Sequence, residues 1–217
     1  MSQNKPTPEE IRNGEADVEK LQGINLKSAY LSRSNLENAK LRDARLVNAD
    51  LDDAMLGDAD LRDAELKRAN LEGADLVNAD LEGAKLRRAN LKNACLQGAN
   101  LKDADLSKCK FREADLQGAC LNHSKPWKAK FREADLKNAE VEHAEMFEAD
   151  LFDADCRETS FAHSRLYHVQ MQKGDFRRAN FKSANLKDAR MQKADFRDAN
   201  FEHAKLLKAK GIELIPK

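Results

Sequence analysis

Four of the five histidines in this chain, His123, His143, His163 and His203, are separated by 20 residues or a multiple of 20. If residues 20 apart stack, their imidazoles can bridge a Zn²⁺ or Ni²⁺ ion, because neutral imidazole is a common ligand of both. A row of imidazoles with no carboxylate or thiolate shell is a weak ligand set, so a plain histidine stack competes with the metal reading. Trp127, Phe147 and Tyr167 repeat at the same interval, and Leu207 lies two intervals further on. Lys128 and His168 stand beside them, and Lys67, Arg68, Arg87, Arg88 and Lys108 occupy the same or the next phase of the repeat. Aromatics set among cations have the composition of a binding hot spot, which makes these nine residues other than His168 and Leu207 the candidate partner-binding set. The competing reading is a ladder of stacked rings that only stiffens the fold.

Little else suggests reactivity. Cys95, Cys109, Cys120 and Cys156 form no C-x-x-C pair and read as reduced thiols. No Gly-rich phosphate loop, nucleophile elbow or triad is present, so the chain reads as a non-enzyme without a cofactor.

The element that must position these residues is a repeat. Charged residues make up 35% of the 217 and mean hydropathy is −0.76, values that suit a disordered chain until the periodicity is considered. From Leu21 to Leu206 a large apolar residue recurs every five positions, with no insertion or deletion. Among these centres only Pro126 and Cys156 are not Leu, Phe, Met or Val. Alanine stands two residues before 29 of the 38 centres, so one large and one small apolar residue alternate throughout. Neither the 3.6 period of a helix nor the 2.0 period of a strand produces this.

The pattern A-(D/N)-L-x-x, as in "ADLVNADLEGAKLRRANL", resembles the pentapeptide repeat family over about residues 20–208. The resemblance implies an all-β fold, a right-handed quadrilateral β-helix of about nine to ten coils, with four repeats per coil and the centre and alanine turned inward. Internal duplications agree with four repeats per coil: "KFREADL" at 110–116 returns at 130–136, and "DFRRANF" at 175–181 returns as "DFRDANF" at 195–201. The expected organisation is an N-terminal cap over 1–20, the β-helix over 21–208 and a C-terminal cap or tail over 209–217. Thr7, Pro8 and Glu10 spell a capping box for a short helix, with Gly14 as its stop, and Ile11 and Val18 are placed to cover the first coil.

Charge is 38 basic against 38 acidic residues overall, but a period of 20 distributes it unevenly. The outward positions sum to −3 on the side beginning at Leu21, +9 from Leu26, +1 from Leu31 and −5 from Leu36. The basic and acidic sides are opposite one another. A protein partner, with acidic residues as the complement to this charge, on the basic aromatic side of a non-enzymatic scaffold is therefore the leading expectation. Quinolone-resistance members of the family mimic acidic duplex DNA and engage DNA gyrase as dimers, which makes a gyrase or topoisomerase modulator the alternative. This chain departs from them in being neutral and in having no inserted loop or evident C-terminal dimerisation helix; only the column of Asp75, Asp115, Asp135, Asp155, Asp175 and Asp195 keeps that option. The acidic rear side disfavours a wrapping nucleic acid strand. No apolar run is long enough for a bilayer and no signal-peptide pattern opens the chain, so a cytoplasmic location is expected, as a monomer or end-to-end dimer.

Two places should be irregular. Pro126 cannot donate a ladder hydrogen bond. Thr159, Ser164, Val169 and Gly174 replace four successive inward alanines, with Gly174 making room for Phe176 and Val169 crowding Met171.

Overall fold

In the computed structural model, residues 5–211 are described. A one-turn helix α1 (Pro8–Arg12) is followed by a 3₁₀ turn (Val18–Lys20) and then by the solenoid. No helix among the described residues is long and apolar enough to cross a membrane.

From Asn25 onward, every fifth residue except at Lys125 pairs in parallel with the residue 20 positions later, ending at Arg190 and Lys210. One turn of the solenoid therefore has four five-residue sides. These are isolated one-residue bridges, not strands: a β-turn in every side leaves only the residue before each centre free to pair. Residues 76–80 show how one repeat satisfies its backbone. Leu76 N–H donates to Cys95 O at 2.7 Å and Asn78 N–H to Gln97 O at 2.9 Å, both one coil ahead. Ala79 N–H closes the turn on Leu76 O at 3.0 Å, and Asp80 N–H reaches back to Ala59 O at 2.9 Å. Val77 N–H donates to the Asp75 side chain at 3.0 Å. All five donors are satisfied without water, as a buried or half-buried backbone requires.

That last bond explains the (D/N) of the motif. A short side chain with a carbonyl-type oxygen, placed just before the centre, accepts the N–H two residues on and completes an Asx turn. The same bond recurs where Glu37 N–H donates to Asn35, Gln117 N–H to Asp115 and Lys137 N–H to Asp135. Neighbouring coils add amide ladders: Asn70 Nδ2 donates to Asp50 and Asn90 Nδ2 to Asn70, each at 3.0 Å.

Inside, the centres Leu31 to Leu106 have no solvent exposure, and the alanines beside them almost none. Full burial of each leucine is worth about 1.5–3 kcal/mol relative to exposure. Phenylalanines take over towards the C-terminal end, where Phe161, Phe181 and Phe201 stack at 5.1 and 4.9 Å. Polar inward residues bond to carbonyls: Ser34 Oγ to Leu31 O, Ser124 Oγ to Leu121 O and Thr159 Oγ1 to Leu136 O.

The two expected irregularities differ. Lys125, just before Pro126, pairs with neither Asp105 nor Glu145, the only interruption of the ladder from Asn25 to Lys210. Proline supplies no N–H for Glu145 O, and the Leu106 N–H is likewise not bonded to Lys125 O. The coil with Thr159, Ser164, Val169 and Gly174 keeps all its bridges. Strain appears instead in its turn bonds, which lengthen to 3.4 Å at Val169 and 3.3 Å at Gly174.

At the N-terminal end, Thr7 and Glu10 form the reciprocal capping box, Pro8 starts α1, and Ile11 is buried in the same apolar cluster as Leu21. Val18 packs partly buried against that cluster. Lys5 Nζ donates to the carbonyls of Gln22 and Gly23, the first of which has no preceding coil to use it. At the other end Ala209 is buried and Lys210 pairs with Arg190, while residues 212–217 of the expected C-terminal tail lie outside the described residues.

Candidate functional site

The basic side is built by the turns. Residues one and two past each centre form the tip of a β-turn and point away from the core. Lys67, Arg68, Arg87 and Arg88 occupy such tips, are exposed, and have no carboxylate within 4.0 Å among the described residues. Arg45 and Lys85 on the same side instead pair with Glu65, at 3.7 and 3.4 Å. Of the candidate cations, Lys67, Arg68, Arg87, Arg88 and Lys108 thus have no ion pair among the described residues, whereas Lys128 pairs with Glu148 at 3.2 Å.

The three aromatics do not form one stack. Phe147 and Tyr167 lie parallel, with ring centroids 5.3 Å apart, and both are half-buried. The Tyr167 hydroxyl accepts from Asn185 Nδ2 at 2.9 Å. Trp127 is 38% exposed and is flanked by two ammonium groups, Lys108 Nζ at 5.3 Å and Lys128 Nζ at 5.1 Å from its ring centroid. A continuous three-ring ladder is therefore corrected to a stacked pair plus a cation-flanked tryptophan. The reason is electrostatic: the ring face carries negative quadrupole density, and lysines at the tips of two successive coils reach it.

The histidine row stacks. His123, His143 and His163 are nearly parallel, with centroids 5.0 and 4.9 Å apart, while Ser183 separates His203 from them. Two nitrogens bound to one Zn²⁺ at about 2.1 Å can be no more than about 4.2 Å apart. Parallel rings at about 5 Å keep equivalent nitrogens beyond that limit, so bridging one ion would require the imidazoles to turn out of the stack. No group of three or more candidate ligands is gathered among the described residues. Backbone geometry gives a different reason for the row: all five histidines, including His168, sit two past a centre and take φ between 55° and 61°. That left-handed region favours Gly, Asn, Asp and His over β-branched residues. The sequence carried this signal, because no Val, Ile or Thr occupies that position in any repeat.

The acidic column opposite is engaged with its own neighbours. Asp155, Asp175 and Asp195 each accept from the backbone N–H two residues on and pair with Arg157, Arg177 and Arg197, respectively. The Arg197 guanidinium holds Asp195 below the usual carboxylate range. Asp135 has no ion pair among the described residues, and burial, reinforced by Asp155 and Asp115, pushes its carboxyl up. The inward thiols of Cys109 and Cys156 are raised well above the usual range by burial, so they are protonated packing groups.

One feature escaped the side-by-side reading. The edge shared by the basic side and the next one forms a shallow groove of about 880 Å³. Lys110 and Lys130, from the neighbouring side, and Lys210, from the expected C-terminal cap, line it together with Lys108, Lys128 and Lys208. Treating each side as a separate plane hid the corner. The signal was present in the five-residue period, which places the position two past one centre next to the position before the following centre.

A model of pentapeptide repeats matches eight copies of the repeat, spread over residues 20–125 and 144–210. The protein HetL from the cyanobacterium Nostoc sp. strain PCC 7120, described as a pentapeptide repeat protein involved in heterocyst differentiation regulation, is similar at 29% identity; the match covers 88% of this chain and 90% of HetL with a TM-score of 0.55. QnrB1, a plasmid-mediated fluoroquinolone resistance protein, is similar in fold at 18% identity, over 70% of this chain and 76% of its own, with a TM-score of 0.53. No curated protein matches. These likenesses imply that the solenoid is a right-handed β-helix. With the repeat model matched along most of its length, the chain belongs to the pentapeptide repeat family.

Proposed function

We propose that this protein is a non-enzymatic interaction rod that holds an acidic protein partner on its basic aromatic side. One observation carries the reading: Lys67, Arg68, Arg87 and Arg88 are exposed, without carboxylate partners among the described residues, and lead along the rod to Trp127. Unpaired cations steer an acidic partner, and a half-exposed tryptophan with a neighbouring aromatic pair supplies area to bury. Descriptions of the relatives, regulation of differentiation for HetL and drug resistance for QnrB1, suit a protein that acts by contact. A DNA-mimic role would draw on the opposite column. There Asp155, Asp175 and Asp195 are paired with arginines, which lowers the negative potential such mimicry needs.

The test is affinity capture from the native cell extract with three immobilised proteins. They are the unaltered chain, a Trp127→Ser/Phe147→Ser/Tyr167→Ser variant, and a control changed on the acidic side at Arg178→Ser and Asp198→Ser. Circular dichroism checks that each is folded. A partner retained by the control and lost by the aromatic variant supports the reading. Equal capture by all three, or loss only from the control, overturns it.

A further inference from the structure

The groove along the corner has an uneven charge pattern that a single kind of ligand fits. Its first lobe is Lys108, Lys110, Lys128 and Lys130, from two successive coils. Its second lobe, four coils further on, is Arg190, Lys208 and Lys210. Between them the lining is Glu148, His168, Gln170 and Asp188. Lys108 and Lys110 have no carboxylate within 4.0 Å among the described residues, whereas Lys128 pairs with Glu148 at 3.2 Å and Lys130 with Asp150 at 3.6 Å. The corner is thus cationic at both ends and acidic to neutral in the middle.

We propose that this groove binds an extended acidic peptide and reads the spacing of its carboxylates. The proposal rests on the interaction-rod reading and names the element of the partner that is held. Coils are spaced at about 4.8 Å, so the two lobes have centres about 20 Å apart. An extended chain advances about 3.4 Å per residue, so two acidic clusters centred about six residues apart reach both lobes at once. The residues between them should be uncharged, because they lie over Glu148 and Asp188.

Two other polyanions fit less well. A single strand of nucleic acid or a polyphosphate carries unbroken negative charge and sets part of it against Glu148 and Asp188. Nucleic acid also gains much of its affinity by stacking bases on aromatic faces. The aromatic nearest the first lobe, Trp127, already has an ammonium group about 5 Å away on Lys108 and on Lys128. Six of the seven groove cations are lysines, which act as point charges and do not demand the two-pronged geometry that arginine imposes.

Trp127 is the only tryptophan and contacts two lysines of the first lobe, so its fluorescence reports occupancy. The probes are a nonapeptide of three glutamates, three neutral residues and three glutamates; an isomer with the six glutamates contiguous; and a nine-residue oligothymidylate. Calorimetry runs in parallel. At low salt the spaced peptide should bind at least fivefold tighter than its isomer and tighter than the oligothymidylate. Lys110→Glu in one lobe and Lys208→Glu in the other should each weaken it about tenfold and remove the preference over the isomer. Equal affinity for the two peptides, tighter binding of the oligothymidylate, or no effect of either substitution overturns the proposal. If the aromatic variant loses its partner while the two peptides bind alike, the interaction surface stands and the groove is not its reader. If the peptides discriminate but capture does not change, the groove stands without the aromatic surface.

Discussion

A β-carbon added to Gly174 would stand 2.6 Å from Cε2 of Phe176 and 3.1 Å from the carbonyl oxygen of Ala154. The small inward position is thus left empty so that the large one can hold a ring. Gly174→Ala should destabilise the protein by about 1–3 kcal/mol, the usual cost of overpacking a filled core. Adding Phe176→Leu should recover most of that loss. Urea denaturation of the single and double variants measures both; a Gly174→Ala protein as stable as the parent would show that Phe176 can move aside.

Pro126 breaks the ladder on one side of one coil, and no other described position from Asn25 to Lys210 does so. Pro126→Leu restores the N–H and the larger side chain that the repeat expects. A gain of about 0.5–1.5 kcal/mol is expected for a recovered hydrogen bond in this setting. Amide exchange at Leu106 should slow in the variant, which locates the gain in the ladder.

The aspartate or asparagine of each repeat serves as an acceptor before it serves as a charge. Asp75 has no ion pair among the described residues and accepts from Val77 N–H at 3.0 Å. Asp75→Ala should cost about 1 kcal/mol, whereas Asp75→Asn, which keeps the oxygen, should be close to neutral. Thermal melts of the two variants decide it, and equal losses would place the stabilisation in the charge.

Acid sensitivity should have two opposite components. Asp60 is held below the usual carboxylate range by its hydrogen bond to Arg62, so its contribution is present above about pH 4 and is lost as the pH falls through its lowered folded value. Asp135 is raised by burial and by Asp155 and Asp115. In the window between the unfolded value of about 3.9 and the raised folded value, the folded state binds the proton more tightly, and that advantage disappears as pH rises. Asp135→Asn keeps the acceptor for Lys137 N–H and removes the charge. It should therefore melt higher than the parent at pH 7, with the gap closing below about pH 4. A gap independent of pH would assign the effect to packing.

The repeat made the fold unusually legible. Leu21 to Leu206 counted in fives, and duplications 20 residues apart indicated which residues stack, because a solenoid repeats the same local interactions in every coil. Pro126 was recognisable as a lost donor and Gly174 as a vacated corner, since both arguments need only the repeat phase. The left-handed turn position was legible in principle, from the absence of Val, Ile and Thr, yet its histidines invited a metal reading. Phase alone does not state how far apart two parallel rings stand.

The periodic sequence by itself determined the coil, its inward and outward positions and the order of charges along each side. Those follow from one local geometry repeated with no insertion. Only the tertiary structure decided how neighbouring outward side chains share the surface. Lysines on two coils lie over the Trp127 ring, arginines pair with Asp155, Asp175 and Asp195, and cations of adjacent sides meet at a corner. These are contacts between side chains 20 residues apart or across an edge, where rotamers and competing partners, not phase, set which groups meet.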